Sequence, residues 1–483
     1  MNRPSDLRLP RLGCFHSGTA IEHAGATQLL VSPVDLKPYA ELVETPSETV
    51  DQVVQAAEQA FRRHRKASVA QRAQWLQAAA AAVDKAAPEI IALLIRDIGK
   101  PRRAATFETQ RSAQFLRACA AAVQQMGGET VPVDAAPAGA GRFGYTRRIP
   151  FGVVAGITPF NAPINLLVQK AAPALAAGNA IVVKPHPAGT RVALRVAQAF
   201  MEAGVPENLL NVATGDREAA AALARHPGVM AVSYTGGTAG GNALASAAGA
   251  KKFVAELGSN AANVVLADAD LADAAKRIAG AAFEASGQQC ISAQRIIVER
   301  PAYAAFLSHF IEAAKALKVG DPDDDSVDLG PMVSQAAADR VMGMVRDALE
   351  RGGRWALEPR REDCLVSPGI LVDAPRECSM WREEVFGPLA LVEAADDVDH
   401  ALQLANDSAY GLQGSVFTRS LKAAFRFSED FEVGSLWVNE ASRFRLDMYP
   451  FGGVKRSGVG REGVRYAIEE MSQIRFTGIR FDA

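Results

Sequence analysis

Residues 152–163 read Gly-Val-Val-Ala-Gly-Ile-Thr-Pro-Phe-Asn-Ala-Pro, and an Ala-rich helical stretch follows. A short apolar run closed by Thr158 and Pro159 reads as a buried strand. The same unit then repeats. Apolar runs at Ala180–Val183, Leu209–Ala213, Met230–Tyr234, Phe253–Ala255 and Asn263–Leu266 alternate with Ala-rich helical stretches. This βαβα rhythm predicts a parallel sheet covered by helices on both faces. Open sheets of that kind bind ligands at the carboxyl ends of their strands, and the polar motifs of this chain cluster there. A second alternation of strands and helices runs from about Arg295 to Val438.

Working outward, the first third is mostly helical. Val50, Val54, Ala57 and Phe61 repeat at helical spacing. Ser68 and Gln71 form a capping-box pair before Trp75, Leu76 and Ala79. Gly99 and Pro101 stop the helix that carries Ile91, Leu94 and Ile95. Asp134–Arg142 and Gly320–Asp328 read as surface loops. In the tail, Ile474 and Phe476 alternate, and Ile479 and Phe481 resume after a slip at Gly478. An exposed apolar strand is sticky, so this one is expected to pair with another subunit.

The chain has 483 residues, enough for two or three domains at ~150 residues each. Lys and Arg number 52 and Asp and Glu 54, for a net charge of −2. No positive field is available to hold nucleic acid or an anionic membrane. A hydrophobic content of 49% and a charged content of 22% suit a globular protein rather than a disordered one. Apolar stretches such as Ala171–Val183 are too short to span a bilayer, and Met1–Asp6 lacks a signal-peptide pattern. A cytoplasmic protein is expected. Cys14, Cys119, Cys290, Cys364 and Cys378 are scattered without a CxxC, and the seven histidines form no HExxH or HxH. Neither a disulfide framework nor a metal site is expected. The absence of GxSxG weakens a serine-hydrolase reading.

One motif is a decoy. Gly458-Val-Gly-Arg-Glu-Gly463 matches GxGxxG, but a loop (Lys455, Arg456, Ser457) precedes it where a dinucleotide fingerprint needs a strand. These glycines read as a tight backbone path.

Five other segments carry chemistry. Gly287-Gln-Gln-Cys290 places a lone cysteine among residues that leave room at its sulfur; with a lowered pKa it would act as a thiolate nucleophile. By itself the motif favours an inert buried cysteine. Glu256-Leu257-Gly258 closes an apolar strand, where partial burial would raise a carboxylate towards general-base use, or where a strand-end salt bridge would sit. Thr158-Pro-Phe-Asn161-Ala-Pro163 holds an Asn amide between prolines, as an oxyanion donor or a helix cap. Lys184-Pro-His-Pro187 and Tyr234-Thr-Gly-Gly237-Thr238 end two more strands, and a lysine plus a glycine turn at a helix N-terminus suits a ribose and a pyrophosphate.

Together these segments resemble the aldehyde dehydrogenase superfamily. The resemblance is ordered and runs from about Ser32 to about Arg475. It comprises PFNAP (Pro159–Pro163), KP (Lys184, Pro185), TGGT (Thr235–Thr238), ELG (Glu256–Gly258), GQQC (Gly287–Cys290), EEVFGP (Glu383–Pro388) and PFGGVKRSG (Pro450–Gly458). The implied fold is α/β, with a Rossmann-type cofactor domain (1–126 and 149–256) and an α/β catalytic domain (257–450). A small β oligomerisation arm (127–148 and 470–483) completes it. The implied partner is a second copy, in a homodimer or homotetramer, with no nucleic acid and no membrane.

The resemblance implies roles residue by residue. Cys290 is the nucleophile that forms a thiohemiacetal with an aldehyde and then a thioester. Asn161 and the Cys290 backbone N–H hold the oxyanion; one such donor is worth ~3 kcal/mol. Glu256 activates the water that releases the acid. NAD or NADP is the cofactor, with Thr158, Pro159 and Phe160 at a strand end beside it, and with Leu257 and Gly258. Lys184 lies at the adenosine ribose, Gly237 faces the pyrophosphate, and Glu384 and Phe386 reach the nicotinamide ribose and ring. NAD-preferring members usually carry Glu where this chain has Pro187. Loss of that carboxylate removes its repulsion of a 2′-phosphate, so NADP use is expected. Gly237 stands where Ser is frequent.

The substrate is expected to be a short polar or anionic aldehyde, as in subgroups resembling lactaldehyde, phosphonoacetaldehyde and succinate-semialdehyde dehydrogenases. Arg111 shares a helical stripe with Phe107, Phe115 and Ala118. A charge there needs a partner, either Glu108 three residues back or an anionic substrate. Arg445-Leu-Asp447 resembles an R-x-D pattern of small-polar-aldehyde subgroups, with Arg445 as a second contact; Arg443 reads as a surface loop residue. Gln289 and Ile291 flank the nucleophile in the pocket, and Gln289 replaces an arginine found in some acid-aldehyde subgroups. Two rivals remain: a CoA-acylating semialdehyde dehydrogenase, opposed by retention of Glu256, and a catalytically inactive binding homologue, opposed by Cys290, Asn161 and Glu256 together.

Overall fold

The computed structural model describes residues 9–21 and 25–481; the Met1–Asp6 stretch and His23 lie outside them. Two large sheets dominate. The first has eight strands, in spatial order Gly458–Val459, Lys252–Glu256, Val229–Thr235, Val153–Thr158, Ala180–Pro185, Leu210–Val212, Cys14–His16 and Thr19–Ile21. Its five central strands are parallel. The Val153–Thr158 strand sits in the middle; the chain builds outward from it on one side through 180–185 and 210–212, then crosses to 229–235 and 252–256. That reversal of winding leaves a crevice at the carboxyl end of Val153–Thr158, the general ligand position in open α/β sheets.

Local chemistry explains the elements. Ser68 caps Val69–Ile98 as a complete capping box with Gln71, and Gly99 ends that helix at φ 68°. Pro163–Ala177 is buried along its whole length, filled with small and apolar residues between the sheet and the N-terminal helices. Truncating fully buried Leu167 there to Ala should cost ~2–5 kcal/mol. The glycines of the decoy motif do form a tight path. Gly458–Val459 is a short strand antiparallel to Lys252–Glu256, Gly458 has φ 155°, and any side chain on it would strike the Ala255 carbonyl.

The second sheet has seven strands in the order Arg354–Leu357, Gly369–Val372, Leu389–Ala395, Ala293–Glu299, Ala261–Val265, Gln413–Phe417 and Ser435–Val438, parallel except for the first. Two apolar cores of its own cover its faces. A third sheet joins Thr130–Val131, Arg142–Pro150 and Ser472–Arg480 in antiparallel register. The tail strand thus pairs along its length with Arg142–Pro150 of its own chain, and its other edge is open among the described residues.

Candidate active site

Cys290 follows a segment held in an unusual backbone shape. Ala285, Ser286 and Gly287 all adopt left-handed φ values of 52°, 57° and 64°, a conformation that costs non-glycine residues ~1–2 kcal/mol each. Surrounding bonds hold it. Ser286 Oγ donates to the Gly330 carbonyl at 2.6 Å, the Val333 N–H donates to Gln288 Oε1 at 3.0 Å, and a side chain on Gly287 would collide with the Gly387 carbonyl. The loop presents Cys290 partly exposed, against Ile291, Leu412, Phe451 and Tyr449.

Asn161 belongs to the same unit. Its Nδ2 donates to the Gln288 carbonyl at 2.9 Å, and Lys100 Nζ donates to its own carbonyl at 2.6 Å. An amide has two N–H donors, so one anchors the residue to the loop that carries Cys290 and the other is available. The helix-cap alternative is not what the structure shows: the helix starting at Pro163 has no side-chain cap. Glu108 serves that end instead, accepting the Ile164 and Asn165 N–H groups at 3.1 and 3.2 Å while pairing with buried Lys100.

Glu256 ends its strand 3% exposed, and both carboxylate oxygens lack a protein donor. A Cβ on Gly452 would come 3.0 Å from its Oε1. Burial, and then the charge of Glu462, push its carboxyl well above the ordinary value. It is not a strand-end salt bridge. The Cys290 thiol is pushed up to about 12 by burial and by the Glu384 carboxylate. A lowered pKa is what the sequence suggests for a nucleophile; here carboxylates outweigh Arg445, and the resting residue is a thiol.

An ion-pair network backs this centre. Glu462, inside the decoy motif, accepts from Arg445 at 2.9 Å and from Lys170 at 3.3 Å. Burial opposes its ionisation, but Lys170 and Arg445 prevail and hold its carboxyl below the usual range. Lys170 also donates to Thr235 Oγ1 at 2.7 Å, and Arg445 packs over the Phe451 ring at 3.7 Å and reaches Gln169 at 3.1 Å. Sequence reasoning passed over Lys170 and Glu462. A lone charged residue in a helix otherwise made of neutral residues was the available signal.

Arg111 does not pair with Glu108, the protein partner foreseen for it. Glu108 is taken by Lys100, and Arg111 donates through Nε at 3.0 Å and Nη2 at 2.5 Å to Asp447. Arg443 is no free surface residue: its Nε donates to Gln289 Oε1 at 3.0 Å and its Nη1 pairs with Glu284. Ile291 is buried, and its carbonyl accepts from Ser442 Oγ at 2.9 Å.

The remaining strand ends form a cradle along the crevice. Thr158 is buried and its Oγ1 lacks a protein partner. Phe160 stands edge-on to Phe386 at 5.8 Å between ring centroids and lies 5.2 Å from His186. Phe386 has φ 49°, and Arg340 bonds the carbonyls of Glu384 and Val385 just before it. Glu384 Oε1 accepts the Ser259 N–H at 3.0 Å, and burial lifts its carboxyl to about 7. Gly237 precedes the Thr238–Ala248 helix with open space where a Cβ would stand. Leu257 is buried and bonds the Ser457 carbonyl through its N–H, and the Gly258 N–H reaches Thr238 Oγ1 at 3.3 Å. Lys184 is buried, makes no bond to a described residue, and is lowered by burial to about 8. An unpartnered lysine, an unpartnered hydroxyl and an open helix N-terminus fit a dinucleotide.

The aldehyde dehydrogenase family model matches residues 21–477. The chain belongs to the aldehyde dehydrogenase family. A 3-sulfolactaldehyde dehydrogenase of Priestia aryabhattai is 39% identical over 91% of this chain and 92% of its own. A sulfoacetaldehyde dehydrogenase of Neptuniibacter caesariensis is 37% identical over 92% and 98%. The crystal structure of an NADP-dependent glyceraldehyde-3-phosphate dehydrogenase of Bacillus halodurans C-125, complexed with NADP, superposes with a TM-score of 0.94 at 31% identity, covering 97% and 99%. The fold is that of the aldehyde dehydrogenases, and the protein is an NAD(P)-dependent aldehyde dehydrogenase. Among the described residues no helix is long and apolar enough to cross a membrane.

Proposed function

We propose that this aldehyde dehydrogenase oxidises a short polar or anionic aldehyde to its carboxylic acid through a covalent intermediate on Cys290. The observation that carries the reading is Glu256, buried without a protein donor, within electrostatic reach of the Cys290 sulfur. Cys290 sulfur attacks the carbonyl carbon as its thiol proton passes to the Glu256 carboxylate and on to solvent, giving a thiohemiacetal oxyanion. The free N–H of Asn161 and the Cys290 backbone N–H stabilise its oxygen. When bound, the nicotinamide supplies the acceptor for the hydride. The thioester left on Cys290 is then hydrolysed. Glu256 takes a proton from water, the hydroxyl adds to the thioester carbon, and Cys290 leaves as thiolate. Water, rather than CoA, is the acyl acceptor on this reading, because Glu256 is present, buried and raised towards general-base use.

An anionic group on the substrate is supported by Arg111, whose guanidinium is only partly used by Asp447. The two relatives named for sulfonated aldehydes support it too. Nη1 of Arg111 makes no bond to a described residue and is the proposed contact. The chain is further proposed to form a homodimer or homotetramer. Phe143, Ile474, Phe476 and Ile479 are exposed on the third sheet, beside the open edge of Ser472–Arg480, and Phe481 is exposed just after it. The experiment for the chemistry is Cys290→Ala, assayed for aldehyde-dependent reduction of NAD and for cofactor binding by calorimetry. Loss of turnover with binding retained is expected; retained turnover would overturn the reading.

A further inference from the structure

We propose that Glu44 and Asp216 make this enzyme select NAD over NADP, standing in for the carboxylate that Pro187 does not supply. The proposal rests on the reading that Lys184 serves the adenosine ribose. Strand order brings the two acids to that lysine from elsewhere. Leu210–Val212 runs parallel to Ala180–Pro185 with Val212 opposite Val183, and the Ala213 N–H continues the ladder to the Val183 carbonyl at 2.9 Å. The turn that follows, Thr214-Gly215-Asp216, leaves the sheet beside Lys184. Glu44 comes from the end of the Pro38–Val43 strand and is tied to the same turn. Its Oε1 accepts the Asp216 N–H at 2.7 Å. Thr45 and Thr214 lock the two segments together: the Thr45 N–H reaches the Thr214 carbonyl at 3.2 Å, and the Thr214 N–H reaches Thr45 Oγ1 at 3.0 Å. Gly215 sits at φ 125°, and a side chain on it would collide with the Glu44 carboxylate. Glu44 is therefore fixed against the turn rather than free in solvent.

The charges that act on Lys184 are those of Asp216 and Glu44, and those that act on His186 are Lys184 and Asp216. His186 is held neutral, its pKa lowered to about 4 by burial and by Lys184. Glu218, in the first turn of the next helix, lies within electrostatic reach of Glu44. One cation thus faces a surplus of carboxylates. Two ribose hydroxyls can donate to such groups, whereas a 2′-phosphate would add about two negative charges where carboxylates already outnumber Lys184. The neutral Pro187 removes one repulsive group; the fold supplies two others.

The test is equilibrium binding of NAD and NADP, by calorimetry or quenching of tryptophan fluorescence, to wild type, Glu44→Gln, Asp216→Asn, the double variant and Lys184→Gln. Wild type is expected to bind NAD at least about 10-fold more tightly than NADP, and the double variant to tighten NADP about 10-fold while moving NAD less than about 3-fold. Lys184→Gln should weaken NAD. If Lys184→Gln weakens NAD but the carboxylate variants leave the NAD-to-NADP ratio unchanged, the proposal fails while the site reading stands. If Lys184→Gln leaves both cofactors unaffected, the site reading fails and takes the proposal with it. Equal affinity of wild type for the two cofactors also overturns it.

Discussion

Asp447→Asn and Arg111→Leu, alone and together, probe the ion pair that ties the Arg102–Val123 helix to the segment before Pro450. Asp447 accepts from Arg111 at 3.0 and 2.5 Å and from Gln169 at 3.3 Å, with side-chain exposures of 17% for Arg111 and 15% for Asp447. An exposed pair of this kind would be worth ~0–1 kcal/mol, and breaking a fully buried one costs ~3–5 kcal/mol. With about a sixth of each side chain exposed, each single change should cost ~2–3 kcal/mol, because it strands the other charge. Removing both strands neither. The double variant should therefore fall short of the sum by ~1–2 kcal/mol. In a chain of this length such losses lower the melting temperature by about 2–3 °C. The kinetic arm separates structure from recognition. A charge-assisted hydrogen bond from Arg111 to the substrate is worth ~1.5–3 kcal/mol, so Arg111→Leu should raise KM about 10- to 100-fold for sulfonated or carboxylated aldehydes. For propanal or lactaldehyde it should raise it less than about 3-fold. Additive stability losses would refute the ion-pair argument. A uniform rise in KM would confine Arg111 to structure.

Three further outcomes are expected. Cys290→Ala should abolish dehydrogenase turnover without lowering NAD affinity, read by calorimetry and nicotinamide absorbance. Glu462→Gln removes a negative charge that raises the Glu256 carboxyl. Since the proposed deacylation needs Glu256 ionised, the acid limb of the kcat–pH profile should move to lower pH, with a lower melting temperature because Lys170 and Arg445 lose their shared acceptor. Lys184, lowered by burial to about 8, is charged below that pH and loses its charge as pH rises through it; cofactor affinity should fall between pH 7 and 9 in wild type and stay flat in Lys184→Gln.

The central strands were legible because each is a short apolar run bounded by Gly, Pro or Thr. Gly152–Ile157 is found at Val153–Thr158, and Met230–Tyr234 at Val229–Thr235. The Ser68 capping box and the Gly99 stop were equally local signals, and both are present. The edge strands Thr19–Ile21 and Gly458–Val459 carry no such signature, because two or three residues hold no period. In the site, Cys290, Glu256 and Asn161 lie at strand or loop ends that motifs mark. What motifs could not mark was pairing across the chain. Arg111 and its partner are 336 residues apart in sequence, and Glu44 meets Asp216 across 172. Periodicity along one helix offered Glu108 to Arg111; the tertiary fold gave Glu108 to Lys100. The Cys290 pKa misled for a related reason. Lone residues on a line of sequence suggest activation, whereas burial beside Glu384 and Glu256 sets the opposite direction.

The central claim is that acyl transfer runs through Cys290 and ends at water activated by Glu256. Intact-mass spectrometry of Glu256→Gln after mixing with NAD and an anionic aldehyde tests it most directly. The account predicts a long-lived adduct with the mass of the acyl group, mapped by peptide analysis to Cys290 and absent from Cys290→Ala. Undiminished steady-state turnover in Glu256→Gln, or an adduct on any other residue, would contradict it.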